Sequence, residues 1–147
     1  MTSEGGCGVA KRIAGWARQM LERPGSFGTL ATLSADGSPH QAVVWYLLRG
    51  DSVVVNSAVG RTWPGNLLRD PRCSLLVEQG YDWVSLVGQV EVVSEQAAAQ
   101  ADIAAMARRY HAADPERAER MIEQVFRPQQ RISFVLRPQR IAQHPDA

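Results

Sequence analysis

The sequence predicts a mainly β domain, an antiparallel sheet curled into a small barrel with helices at its flanks. Three observations lead there. Five β-rich segments follow one another from Phe27 to Val93, and all but one of their connections are too short for a crossover helix. Two helical stretches then precede a single returning strand. Finally, Ala42-Val43-Val44-Trp45-Tyr46-Leu47-Leu48 is apolar on both sides. One face fills a barrel while the other demands cover from a helix or a second subunit, and a dimer is expected.

The elements follow in order. Residues 1–8 are Gly-rich and expected to be disordered, leaving 9–147 as one domain. From Val9 to Leu21, apolar residues at Val9, Ile13, Trp16, Ala17, Met20 and Leu21 keep helical spacing, and Pro24-Gly25 ends that helix. Phe27–Leu33 and His40–Leu48 read as a hairpin about Asp36-Gly37. Arg49-Gly50-Asp51 turns the chain into a third strand, Ser52–Ser57, and reads as a hairpin turn in preference to an adhesion tripeptide. Thr62 suits a cap and Pro64 a first turn, predicting a short helix that Asp70-Pro71 closes. Strands Cys73–Glu78 and Trp83–Val93 follow across Gln79-Gly80. Ser94 is expected to cap an alanine-rich helix reaching about Tyr110, and Asp114-Pro115 to start another with Met121, Ile122, Val125 and Phe126 as its stripe. Arg131–Arg137 returns as a strand, alternating Ile132, Phe134 and Leu136 with other residues.

Composition narrows the function. Sixteen basic residues face 15 acidic ones, a net charge of +1 that gives no general attraction for nucleic acid or membrane. Lys11 is the only lysine, an arginine bias that suits a GC-rich, actinobacterial coding sequence. The longest apolar run is Ala42–Leu48, far short of the ~20 residues that span a bilayer. Cys7 and Cys73 form no disulfide framework, so a reducing cytoplasm is the expected setting. There is no GxSxG, HExxH, GxxxxGK[ST] or GxGxxG motif, and His40, His111 and His144 lack metal-ligand spacing. No catalytic side chain and no metal site is expected, and Cys73 reads as a small core residue.

One segment carries more. Asn56-Ser57-Ala58-Val59-Gly60-Arg61-Thr62-Trp63-Pro64-Gly65-Asn66-Leu67 sets a guanidinium just before a helix start, among hydroxyl and amide side chains. Such a place favours an anion, and arginine binds phosphate bidentately. A capped helix with Arg61 in a surface ion pair fits the spacing equally well. Trp45, Trp63, Tyr81 and Trp83 accompany the strands, either as core or as walls for a planar ring.

Phe27-Gly28-Thr29-Leu30-Ala31-Thr32-Leu33, Asp36-Gly37-Ser38-Pro39, Val44-Trp45-Tyr46, and Gly60-Arg61 with Asn66-Leu67-Leu68-Arg69-Asp70-Pro71-Arg72 together resemble the pyridoxamine-phosphate-oxidase-like proteins. The nearest likeness is to their F420-dependent flavin/deazaflavin oxidoreductase B group. The resemblance implies an FMN-binding-like split β-barrel, a homodimer, and two cofactor sites at the subunit interface. It implies that Arg61 holds the cofactor phosphate, with Asn56, Ser57, Thr62 and Asn66 beside it. Trp63 stands where many relatives carry a second basic residue. The strand with His40, Val43 and Trp45 is expected along the ring, and Tyr81, Trp83 and Arg131 to close the pocket from the other subunit. The activity implied is hydride transfer from reduced coenzyme F420 to an unsaturated or heteroaromatic small molecule. An FMN-dependent oxidoreductase, and a flavin or heme carrier without turnover, are the alternatives.

Overall fold

A computed structural model describes residues 9–145, so the expectation for residues 1–8 and the position of Cys7 lie outside it. The chain runs α1 (Gly15–Glu22), β1 (Gly28–Leu33), β2 (Pro39–Val44), β3 (Leu47–Arg49), β4 (Ser52–Ala58), α2 (Thr62–Arg69), β5 (Arg72–Gln79), β6 (Asp82–Val93), α3 (Gln96–Tyr110), α4 (Pro115–Met121) and β7 (Arg131–His144). A π-helical turn, Ile122–Phe126, extends α4. The seven strands form one sheet in the order β2-β1-β5-β6-β7-β4-β3, and every pairing is antiparallel. This is the curled antiparallel barrel with flanking helices that the strand spacing predicts, in the split form that the resemblance implies. Among the described residues, no helix is long and apolar enough to cross a membrane.

The predicted strand His40–Leu48 is two strands. β2 ends at Val44 and β3 begins at Leu47, yet they are the opposite edges of the sheet. Two residues can join opposite edges only if the sheet curls until they nearly meet, so Trp45-Tyr46 closes the barrel. Tyr46 is fully buried, and its hydroxyl donates to the Leu21 carbonyl at 2.7 Å.

Other boundaries also differ from those the sequence predicts. The first helix starts at Gly15, not Val9: the Lys11 N–H donates to Pro138 O at 2.6 Å and the Ile13 N–H to Asp51 Oδ1 at 3.0 Å, which fixes residues 9–14 as an extended arm. The cap of α3 is Glu95 and not Ser94, its carboxylate accepting from the N–H groups of Ala97 and Ala98. Thr62 lies inside α2, whose cap position is Arg61 without a side-chain hydrogen bond. β7 continues past Arg137 because Pro138 sits where β6 slips register between Val87 and Gly88, a position that spares the ladder its missing N–H.

The double-sided strands supply two cores. Val53 and Val55 of β4 face the barrel interior with Leu30, Leu75, Leu86, Phe134 and Leu136, and α1 plugs it with Met20 and Leu21. Val54 faces the other way, against Ile103, Met106, Ala107, Ile122 and Phe126 of the helical layer. The cover that the sequence demanded is thus partly internal, from α3 and α4. Val43 on β2 stays 73% exposed and Leu76 on β5 39%.

A Cβ on Gly88 would stand 2.5 Å from the Arg137 carbonyl oxygen, inside the bulge, whereas one on Gly65 of α2 would meet nothing within 4 Å. Gly88→Ala is expected to lower the unfolding free energy by about 1–3 kcal/mol. Gly65→Ala is expected to raise it by up to about 1 kcal/mol. Urea unfolding reads both, and a Gly88→Ala protein as stable as wild type would refute the close approach.

Candidate functional site

The site lies where β4 leaves the sheet. Neighbouring residues in a strand point to opposite faces, so Ser57 turns toward the barrel while Asn56 turns under α3. Both reach the same opening because the strand ends there. Gly60, at φ +100°, then turns the chain so that Arg61 stands at the start of α2. The returning β7 begins opposite, pairing Arg131 with Ala58.

Between them is a cavity of about 300 Å³. Asn56, Ser57, Arg61, Gln129 and Arg131 supply its polar lining, and Val43, Val44 and Trp45 form one apolar wall. Met121, Val125 and Phe126, on the π-turn or just before it, form the facing wall with Ile103, and Trp63 contributes an edge. Ligand sites run about 300–1,000 Å³, so one chain presents a site at the small end of that range.

Arg131 is the unusual member. It is only 4% exposed, and no carboxylate among the described residues pairs with it. Its Nε donates to Asn56 Oδ1 at 3.0 Å and its Nη1 to Gln129 Oε1, both neutral acceptors. The guanidinium lies over the Phe126 ring, 5.0 Å from the centroid. Burial first, and the like charge of Arg61 second, push Arg131 down to about 10. It is still a cation at neutral pH. Arg61 also has no ion pair with any described residue. Two guanidiniums without counter-charge at one cavity form a place built for an anion.

Aromatic packing holds the wall rigid. Trp45 stacks on Tyr110 with centroids 5.1 Å apart, and Tyr110 stacks in turn on Phe27 at 5.4 Å. His111 and Phe126 meet Trp45 edge-on. An indole so held presents a fixed surface to a planar ligand.

Of the residues expected at a cofactor, the fold gathers Val43, Trp45, Asn56, Ser57, Arg61, Trp63 and Arg131. Arg131 stands in the same chain's cavity as Arg61, where the resemblance had assigned it to the opposite subunit. Trp63 is mainly core, packed against Phe134. Asn66 is buried away from the cavity, its Nδ2 donating to Thr32 Oγ1 at 3.0 Å, so it ties α2 to β1. Thr62 is exposed on α2, and His40 sits on β2 opposite Thr32. Tyr81 and Trp83 lie at the β5–β6 turn, outside this cavity, with Trp83 stacked on His144. Sequence reasoning missed Gln129 and the wall from Ile103, Met121, Val125 and Phe126, which reads as plain helical stripe. Cys73 is core as expected, its thiol pushed up to about 12 by burial. Among the described residues no cluster of His, Cys, Asp or Glu is arranged to hold a metal.

The pyridoxamine 5'-phosphate oxidase family model matches residues 17–145. The chain belongs to that family. Among solved structures, it resembles the conserved hypothetical protein Rv2991 of Mycobacterium tuberculosis, with TM-score 0.72 and 24% identity over 95% of this chain and 94% of that one. It also resembles an F420 reductase, with TM-score 0.67 and 23% identity over 85% and 94% of the two chains. The heme storage protein HutZ of Vibrio cholerae shares the fold at TM-score 0.64 and 15% identity, over 90% and 94%. No curated protein sequence matches the chain.

Inorganic pyrophosphate is expected to raise the thermal unfolding midpoint of the wild-type protein by mass action, and to leave an Arg61→Ala/Arg131→Ala double variant unmoved. Differential scanning fluorimetry measures both. An equal rise in the two proteins would put the anion elsewhere.

Proposed function

We propose that this member of the family is an F420-dependent oxidoreductase, transferring a hydride between the deazaflavin and an unsaturated or heteroaromatic small molecule. FMN is the alternative cofactor. The observation that carries the reading is the pair Arg61 and Arg131, without counter-charge, beside the fixed ring of Trp45. The likeness to an F420 reductase supports it. The two guanidiniums and the held indole suit a ring bound by phosphate and stacking.

The residues fit a phosphorylated planar cofactor, which would supply the hydride chemistry itself. Arg61 and Arg131 grip the phosphate from the exposed and the buried side. Ser57 and Asn56 flank it. Trp45 and Val43 orient the ring, while Met121, Val125 and Phe126 exclude water from the face opposite. No side chain is required as acid or base. The protein works as a homodimer in the cytoplasm, the exposed Val43 and Leu76 faces meeting a second copy whose Tyr81 and Trp83 close the site. The modest size of the cavity in a single chain favours such a shared site.

Titration of the purified protein with F420 and with FMN, followed by absorbance and tryptophan fluorescence, tests this. Tight F420 binding with weak FMN binding is the expected result, and the reverse would assign FMN. Arg61→Ala is expected to weaken cofactor binding by about 1–3 kcal/mol, the loss of a charge-assisted hydrogen bond. If neither cofactor binds at micromolar concentration, the oxidoreductase reading fails.

A further inference from the structure

Behind the cavity, a line of buried polar groups runs from Arg131 to the surface. Arg131 Nε donates to Asn56 Oδ1 at 3.0 Å. Asn56 Nδ2 donates to Ser133 Oγ at 2.8 Å, and to the Ala99 carbonyl at 2.9 Å. Ser133 Oγ donates to Asp102 Oδ2 at 2.7 Å. Arg49 Nη2, at the turn between β3 and β4, donates to Asp102 Oδ1 at 2.7 Å. Asn56, Ser133 and Asp102 are all buried, with Asp102 only 7% exposed.

From Arg131 to Asp102 every bond of the line points one way, toward the carboxylate on which Arg49 converges from the surface, and the guanidinium and carboxylate ends of that stretch dictate the direction. A guanidinium only donates and a carboxylate only accepts. Because Asp102 accepts from Ser133, the hydroxyl proton is committed, and Ser133 Oγ is left to accept from Asn56. The amide of Asn56 is thereby fixed with its nitrogen toward Ser133 and Ala99 and its oxygen toward Arg131. Asp102 interrupts the apolar stripe of α3, where Ala99, Ile103 and Met106 pack, and its place there otherwise costs desolvation.

We infer that Asp102, acting through Ser133 and Asn56, is a positioning residue for Arg131, holding the buried guanidinium aimed into the cavity for the anionic group of the ligand. Arg131 receives an oriented acceptor and no neutralising partner. A carboxylate placed directly against it would fix the side chain but cancel the charge that the ligand needs. Two neutral relays separate these effects: they pass on orientation and leave the cation available.

The inference rests on the cavity binding a phosphate-bearing ligand, as proposed above. Its test is Asp102→Asn. With its oxygen kept toward Arg49, the new amide turns a donor toward Ser133. Either the Ser133 proton loses its acceptor, or the line inverts and sets the Asn56 nitrogen against Arg131 Nε–H, donor against donor. The readout is the preference for a phosphate: affinity for FMN over riboflavin, and for F420 over its phosphate-free deazaflavin core. Asp102→Asn is expected to reduce the wild-type preference about tenfold, within the range for a disrupted buried hydrogen bond. In an Arg131→Ala background it should reduce it no further. A merely structural role would weaken both ligands of a pair alike, and an unchanged preference therefore overturns the inference. If Asp102→Asn does not fold, Ser133→Ala breaks the same line without inverting it and is read by the same ratio. A wild-type protein that binds these flavins without preferring the phosphate would instead remove the phosphate reading itself, and this inference with it.

Discussion

Trp45 and Tyr46 carry the chain between the two edge strands of a seven-stranded sheet, and three Cα steps span at most about 11 Å. The sheet has to curl until its first and last strands nearly touch. That closure rests on contacts with α1 and α3. The Tyr46 hydroxyl reaches the Leu21 carbonyl, the Tyr46 N–H donates to the Tyr110 hydroxyl at 3.2 Å, and the Trp45 indole stacks on Tyr110. The Arg109 guanidinium lies over both tyrosine rings. Burial pushes the Tyr46 phenol up to about 12, so its hydroxyl keeps its proton and remains a donor across the physiological range.

The same closure makes the site. With the edges drawn together, the end of β2 comes against the end of β4 and the start of β7, and Val43, Asn56, Ser57 and Arg131 share one opening. The helices finish it. α3 and α4 cover the outward side of β4 and β7, and the π-turn lines the opening with Val125 and Phe126. A π-turn is rare in helices and tends to appear at functional sites, in keeping with its place here. Charge follows the same layout. The surface arginines Arg72, Arg108, Arg127 and Arg137 pair with acids, while the two at the cavity pair with none among the described residues. An anion entering there meets electrostatic attraction that the fold has left unused.

Much of the fold was legible because its signals are local. Asp36-Gly37 set the first hairpin, Asp114-Pro115 the start of α4, and the alternation of Ile132, Phe134 and Leu136 the inner face of β7. The failures share a cause. Ala42–Leu48 is one unbroken apolar run, and no local signal separates β2 from β3. Val9–Ile13 has helical spacing but is drawn out as an arm by bonds to Pro138 and Asp51, far away in sequence. Of the candidate site, Arg61 was legible because it stands next to Gly60 at a helix start. Asp102 could have been noticed as an acid within an apolar stripe, though nothing near it in sequence names Ser133 or Asn56.

The sequence by itself determined the number and type of most elements, the antiparallel class, and the arginine-bearing turn after β4. Those depend on propensity, periodicity and turn chemistry, all of which act over a few residues. Only the tertiary structure decided that Arg131 joins Arg61 in the cavity of a single chain. Arg131 lies 70 positions away, brought in by pairing of β7 with β4, and its lack of a carboxylate partner is a property of the packed layer around it. The split of one apolar run into two edge strands has the same origin. It follows from closing the sheet, and closure is a property of the whole sheet that no segment encodes alone.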